Sequence, residues 1–289
     1  MRQSAGDEMG YNRNILDAER IIPKVKLEEL YLEKKLSDPE IGKLYGISGG
    51  RIHRLRNRYN IKAIECYERH YKQELDEKEK SFIVGVLLGD GHMRLRRESG
   101  KRSYPQLMIE QSVKHREYAF WLRNEIKDWL YDPNKSLKQR RQFNKKYKKA
   151  YHSYPFSTIC HPVFNEFYNG FYKDKSKILN INLLEKYFTL YSFAIWLMDD
   201  GTRSKRGRRI QMCTHNFSRK ENNDLRAFLN NRFDFTAHIR VNKATFLPTY
   251  YLDFSVKSTN LISEMLRDLV IPSMQYKLVS SETTNGTRE

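Results

Sequence analysis

The chain repeats itself. Phe82–Gly91 reads FIVGVLLGDG and Phe193–Gly201 reads FAIWLMDDG. Both runs are apolar, read as buried helices, and end in Asp-Gly: Asp90–Gly91 and Asp200–Gly201. A basic stretch follows each, with Arg94, Arg96, Arg97, Lys101 and Arg102 in the first copy and Arg203, Lys205, Arg206, Arg208 and Arg209 in the second. The patterns then run in parallel. A strand (106–111; 209–215) leads to an amphipathic helix (114–130; 218–233). Two strand-like segments come next (137–143 with 154–160; 236–242 with 249–256), then a closing helix (162–172; 258–270) and a lysine segment (173–177; 274–277). A duplication of this kind predicts an α+β chain of two pseudo-symmetric αββαββα halves, 81–178 and 179–278.

The two acidic helix ends are physically odd. A helix C-terminus carries partial negative charge, so its last turn favours Lys or Arg over Asp. A local rule broken at two equivalent positions points to a functional site. If the two helices pack side by side, Asp90 and Asp200 converge, and two close carboxylates repel unless a cation neutralises them. Mg²⁺, which takes carboxylate oxygens plus waters, suits such a place. Gly85 and Gly89, one helical turn apart, supply a small-residue face for that packing.

Charge defines the class of partner. Lys plus Arg number 53 against 35 Asp plus Glu, a net charge of +18 with a pI near 9.7, which calls for a polyanion. The three cysteines, Cys66, Cys160 and Cys213, have no CxxC spacing, against a disulfide framework or a structural zinc. Met1–Asn14 has no apolar leader core, and the runs Phe82–Leu88 and Phe193–Met198 are too short to span a bilayer, so an intracellular protein with no membrane partner is expected.

Ahead of the repeat, a polar arm (1–25) gives way to helical spacing at Leu27, Leu30, Tyr31 and Leu36. Ser37 or Asp38 with Glu40 caps a short helix, Pro39 to Tyr45, which ends at Gly46; Ser48 opens a third helix to about Tyr59. The stretch SDPEIGKLYGISGGRIHRLRNRYNIK resembles recombinase- and repressor-type helix-turn-helix domains, here 26–62. The resemblance implies that the last helix, with Arg51, His53, Arg54, Arg56, Asn57 and Arg58, lies in a DNA major groove. The alternative is a small bundle with a basic face. An acidic linker (63–80) joins this module to the repeat, and a polar tail (279–289) ends the chain.

IVGVLLGDG, FAIWLMDDG and the closing IPSMQYKL (Ile271 to Leu278) together resemble the LAGLIDADG homing endonucleases, in their monomeric two-motif branch, over about 80–278. The resemblance implies that the motif helices form the interface between the halves. It implies that Asp90 and Asp200 bind two or three Mg²⁺ ions, with Mn²⁺ able to substitute, and that each half lays a saddle-like antiparallel sheet on a long DNA duplex. The activity implied is site-specific double-strand cleavage by metal-assisted phosphodiester hydrolysis. Lys177, in KDKSKIL, and Lys277, in MQYKL, match paired lysines near the active site; phosphate contacts outside the chemistry are the alternative. Gln111 matches a polar site residue, with His215 as its expected counterpart and Asn242 at a further polar position. Ile195 and Asp199 replace small interface residues, and Asp199 is expected to be an interface or N-cap-bonding carboxylate rather than a metal ligand.

Candidate DNA contacts are Arg51, Arg54, Arg58, Arg94, Arg96, Lys138, Arg140, Arg203, Arg208 and Arg240, densest in Lys138–Tyr154 and Thr202–Arg209. Two other readings stand beside this one. A DNA-binding regulator that has lost cleavage is disfavoured because both motif aspartates remain. An intron maturase that binds its host RNA is compatible with the same residues. The compartment implied is a bacterial or phage-host cytoplasm or an organelle.

Overall fold

The computed structural model describes residues 20–64, 73–95, 104–205, 207–242 and 248–279. Most of the polar arm and tail, and Cys66, Arg96, Arg97, Lys101, Arg102 and Arg206, lie outside the described residues. The chain divides into two compact units between Gln73 and Glu74.

The first unit is helical. Helix α1 (Lys24–Glu28) continues as one π-helical turn, Glu29–Glu33, and is followed by α2 (Asp38–Leu44) and α3 (Gly49–Arg58). Ser37 and Glu40 form a reciprocal capping box at the start of α2, satisfying orphan N–H groups there. Gly46 takes the left-handed φ of 67° that turns the chain between α2 and α3. Ile22, Leu27, Leu30, Ile41, Ile52 and Leu55 close a small core. Arg56 belongs to it: it is 4% exposed, its guanidinium donates to Asp38 at 3.1 Å twice and to Ile61 O at 3.1 Å, and it sits over the Tyr31 ring. It is a strut of the unit and not the groove-facing group its charge suggested.

The second unit contains the repeat. Its first half runs α4 (Glu77–Leu88), β1 (His92–Leu95), β2 (Pro105–Ser112), α5 (Arg116–Glu125), β3 (Arg140–Asn144), β4 (Lys149–Ser157) and α6 (Asn165–Phe171). A two-residue hairpin of β5 (Tyr172–Lys173) and β6 (Ser176–Lys177), turning through left-handed Asp174 and Lys175, leads to α7 (Ile181–Tyr187). The second half runs α8 (Leu190–Asp200), β7 (Gly201–Arg203), β8 (Ile210–Cys213), α9 (Arg219–Phe233), β9 (Ala237–Asn242), β10 (Thr249–Phe254) and α10 (Val256–Leu266), then a 3₁₀ stretch, Pro272–Lys277. The antiparallel sheets share one order, β1-β2-β4-β3 and β7-β8-β10-β9. Two α+β halves of the same topology therefore pack through their motif helices, α4 and α8.

Several boundaries differ from the sequence expectation. Parts of both basic stretches are strands: Arg94 lies in β1 and Arg203 in β7. The helix expected over 114–130 is α5 flanked by 3₁₀ turns at Val113–His115 and Lys127–Trp129. Breaking the helix at Ile126 buries Trp129 against His161 and Phe164, where its indole N–H donates to Glu79 at 2.8 Å. The segment expected at 137–143 forms a strand only from Arg140, and its partner starts at Lys149 rather than 154. The closing helix of the second half ends at Leu266 rather than 270.

Strand alternation gives each sheet a helix-packed face and an open face. In β2, Leu107, Ile109 and Gln111 are buried on the inner side, so Gln106, Met108, Glu110 and Ser112 share the other. In β10, Leu252 and Phe254 face inward, and Tyr251 and Asp253 outward.

Candidate active site

The motif helices touch along their whole length. At their N-terminal ends the Ser81 hydroxyl bonds those of Thr189 and Ser192, both at 2.6 Å. Midway, a Cβ on Gly85 would come within 2.7 Å of Ser192 O and 3.0 Å of Ile195 Cβ. At the C-terminal ends Gly89 packs directly on the Asp199 side chain, in a space where a Cβ would collide. Gly85 and Gly89 thus fit against bulkier partners, Ile195 and Asp199, rather than against small ones.

That contact brings Asp90 and Asp200 to neighbouring helix ends. Asp90 is exposed and Asp200 half-buried. Burial first, and then the charge of Asp90, push the Asp200 carboxyl up to about 7, against the pull of Lys177 and Lys277. Burial and Asp90 likewise hold Asp199 well above the usual carboxylate range. Gln111, on the inner side of β2, ties the two halves: its Nε2 donates to Asp199 Oδ1 at 2.9 Å and Asp90 Oδ2 at 3.2 Å. Asp199 Oδ2 in turn accepts the backbone N–H of Asp90 at 3.1 Å.

The paired lysines cap the helices. Lys177 Nζ donates to the carbonyls of Gly89 (3.2 Å) and Gly91 (2.9 Å). Lys277 Nζ donates to those of Leu197 (3.2 Å), Met198 and Asp199 (3.0 Å). Each ammonium satisfies orphan carbonyls and the negative end of its motif helix. Burial lowers both lysine pKa values, and the three aspartates oppose that shift.

The strand register corrects one equivalence. Gly201 pairs with Met212, and His92 pairs with Met108, so extending the first ladder by one places Gly91 beside Ile109. The counterpart of Gln111 is therefore Thr214 and not His215. Thr214 is buried, and its hydroxyl is engaged by Asn222 and Tyr250 O. His215 is exposed, with Nδ1 3.1 Å from Cys213 Sγ, and Asn242 lies at the end of β9 opposite Thr249. Two further residues near the site carried no sequence signal. The His115 imidazole is lowered by burial and by Lys277, with Asp90 opposing. The Cys213 thiol is raised by burial and by Asp200.

The basic candidates occupy the open faces unevenly. Arg94 and Arg140 project from the first sheet: Arg94 Nε donates to Gln106 at 3.2 Å, and Arg140 pairs with Glu110 at 2.5 Å. Arg240 projects from the second. Lys138 is exposed ahead of β3, and Arg208 is exposed ahead of β8. Arg203 has the inner parity of its strand and folds onto Gly207 O at 2.9 Å. In the first unit Arg51, Arg54 and Arg58 lie on α3, with Arg54 Nε on Gly50 O at 3.2 Å.

Two apolar helices that pack where one of them carries glycines, end in neighbouring aspartates and lead into matched four-stranded sheets define a duplicated, acid-ended helix-pair architecture. The chain belongs to the LAGLIDADG DNA endonuclease family, whose model matches residues 80–262. It is 27% identical over 211 residues to cytochrome b mRNA maturase bI2 of Debaryomyces hansenii, covering 72% of this chain and 76% of the relative. It is 30% identical over 206 residues to the protein of the same name in Saccharomyces cerevisiae, covering 68% of this chain but only 46% of that longer protein. Among solved structures, the homing endonuclease I-WcaI bound to its DNA recognition sequence shares the fold, with a TM-score of 0.64 at 20% identity over 78% of this chain and 97% of that one. No described helix is long and apolar enough to cross a membrane.

Proposed function

We propose that this chain is a site-specific homing endonuclease that cuts both strands of a long DNA target, using divalent metal ions held by Asp90 and Asp200. The observation that carries this reading is the placement of two carboxylates, one from each half, at neighbouring helix ends, where one raises the pKa of the other. Asp200 there is pushed up to about 7 by burial and by Asp90. A site that strains to hold its own negative charge is one that a cation relieves. The donors are hard oxygens and few, which suits Mg²⁺ or Mn²⁺ retaining several waters. Bound there, such ions supply an activated water and charge neutralisation at the scissile phosphate.

The chain's own residues have separate tasks. Gln111 holds the Asp90 carboxylate, and Asp199, from the other half, holds both Gln111 and the Asp90 backbone N–H. Lys177 and Lys277 hold the helix ends and place positive charge behind the aspartates, favouring an approaching phosphodiester. The open sheet faces, with Arg94, Arg140 and Arg240, track the duplex, and α3, with Arg51, Arg54 and Arg58, is proposed as an appended contact. The test is cleavage of a plasmid library by the wild type, Asp90→Asn and Asp200→Asn proteins with Mg²⁺. Discrete double-strand cutting by the wild type, and its loss in both variants with DNA binding retained, is expected. Undiminished cutting by the double variant would refute the assignment.

A second reading has a specific basis, the similarity to two proteins named mRNA maturases. The same chain would then also bind its host intron RNA. Nanomolar binding of that RNA by the Asp90→Asn/Asp200→Asn protein, with splicing promoted, would establish this role independently of cleavage.

A further inference from the structure

On the open face of the second sheet a carboxylate is buried beneath the side chains that project from it. Asp253 is 1% exposed, yet it lies on the opposite side of β10 from Leu252 and Phe254, which face the core. Its Oδ2 receives Arg209 Nη1 at 2.9 Å and Arg240 Nε at 3.3 Å, and its Oδ1 receives Gln211 Nε2 at 3.2 Å. The donors come from the segment ahead of β8, from β9 and from β8. The arginine side chains remain 37% and 50% exposed. Beside them a cavity of about 660 Å³ opens, lined in part by Lys205, Arg208, Arg209, Gln211 and Tyr251.

Charge attraction alone gives no reason for an acid on a face that meets phosphates. Covered as it is, Asp253 touches no ligand itself. We propose that Asp253 is a specificity-determining positioning residue that fixes Arg209, Arg240 and Gln211 as one rigid cluster reading adjacent base pairs. This rests on the DNA-binding function argued above. Each guanidinium has five N–H donors in a planar fork, and Asp253 takes one or two, leaving others directed outward. A fixed fork matches the paired acceptors of guanine in the major groove, whereas an untethered arginine gains as much from any phosphate, which carries no sequence. With Nε2 on Asp253, the Gln211 carboxamide also has a set orientation. The first sheet has a looser analogue in Glu110, bonded to Arg140 and Ser153 at 2.5 Å, but Glu110 is itself exposed.

The test is selection of binders from randomised duplex DNA by full-length wild-type, Asp253→Asn and Arg240→Ala proteins, with binding measured at several salt concentrations. Asp253→Asn is expected to lose discrimination by about tenfold at a contiguous block of base pairs within one half-site. The other half-site should be unchanged, and affinity for unselected DNA should not fall, because two arginines have been released. Arg240→Ala should lose part of the same block, and this exposed-residue variant carries the test if Asp253→Asn does not fold. An unchanged motif, or a uniform loss across the whole target, would overturn the inference. A variant that is merely destabilised gives fewer active molecules with the wild-type motif, and so counts against it. If the wild type selects no motif, the DNA-recognition function fails and takes the inference with it.

Discussion

The Asp199 carboxylate, from the second half, accepts the backbone N–H of Asp90, from the first, at 3.1 Å. Asp199 fills the space that Gly89 leaves by lacking a side chain. The first half thus gives up a side chain at this position, and the second supplies one that holds the first half's acidic residue in place. The equivalent of Gly89 in α8 is Asp199 itself, so the relationship has no mirror image. The two halves are symmetric in topology and asymmetric at the site.

Gly85→Ala gives a sharp test of the interface because two effects oppose each other. In a free helix interior, Gly to Ala stabilises by about 1 kcal/mol. Here the new Cβ would stand 2.7 Å from Ser192 O, a backbone atom that cannot swing away. Overpacking of this kind costs about 1–3 kcal/mol, so net destabilisation is expected. Thermal unfolding decides it, and a raised Tm would mean the helices separate freely at that point.

Metal binding should be visible without any DNA. A ligand that binds only the native state raises its stability as concentration exceeds Kd. Mg²⁺ or Mn²⁺ is therefore expected to raise the Tm of the wild type and to leave that of Asp90→Asn/Asp200→Asn unmoved. Equal shifts in both proteins would place the ions elsewhere on the chain.

Glu29 should make the first unit sensitive to acid. It lies between Lys26 (2.7 Å) and Lys34 (2.8 Å), and those bonds hold its carboxyl down at about 2. The unfolded chain therefore binds this proton more readily than the folded one. The contribution is complete above the ordinary carboxylate pKa and is lost as pH falls toward 2. Because the group is partly open to solvent, salt should weaken the effect. Amide exchange at Leu30 and Tyr31, followed across that pH range in the wild type and Glu29→Gln, is expected to show a steeper acid loss of protection in the wild type, and less difference in high salt.

The parts legible in the sequence are those that break a local rule or repeat. Asp90 and Asp200 stand out because an acid at a helix C-terminus needs a reason, and the duplicated Asp-Gly supplies the pairing. Arg56 was misread: its charge placed it with the groove-facing arginines, whereas it lies four residues after buried Ile52, on the inward face of α3. The Gln111 counterpart was not legible, because a one-residue shift in strand register moves a side chain to the opposite face and the sequence does not state the register. Asp253 was invisible for a different reason. A single acid between apolar neighbours in a strand has no pattern, and its three partners come from other parts of the chain. Trp129 ended a helix that its amphipathic spacing would have extended, because burial and the bond to Glu79 outweigh local periodicity.

Removing residues 1–73 tests the helical unit as a DNA contact. The second unit is compact from Glu74 onward and contains both aspartates and both lysines, so it should stay folded and cut at high enzyme concentration. Affinity for the full target should fall and its salt dependence flatten. Each of Arg51, Arg54 and Arg58 that contacts a phosphate contributes about 0.9 to the log–log salt slope. Arg56 contributes nothing to that sum, because Asp38 and Ile61 O already take its donors. Arg56→Ala in the full-length protein should instead unfold the first unit and reproduce the truncation, while Arg51→Ala should cost one contact with the unit intact. Titrations of the four proteins at several salt concentrations separate these outcomes. Equal affinity and equal slope for the truncated and full-length proteins would show that the helical unit does not touch DNA.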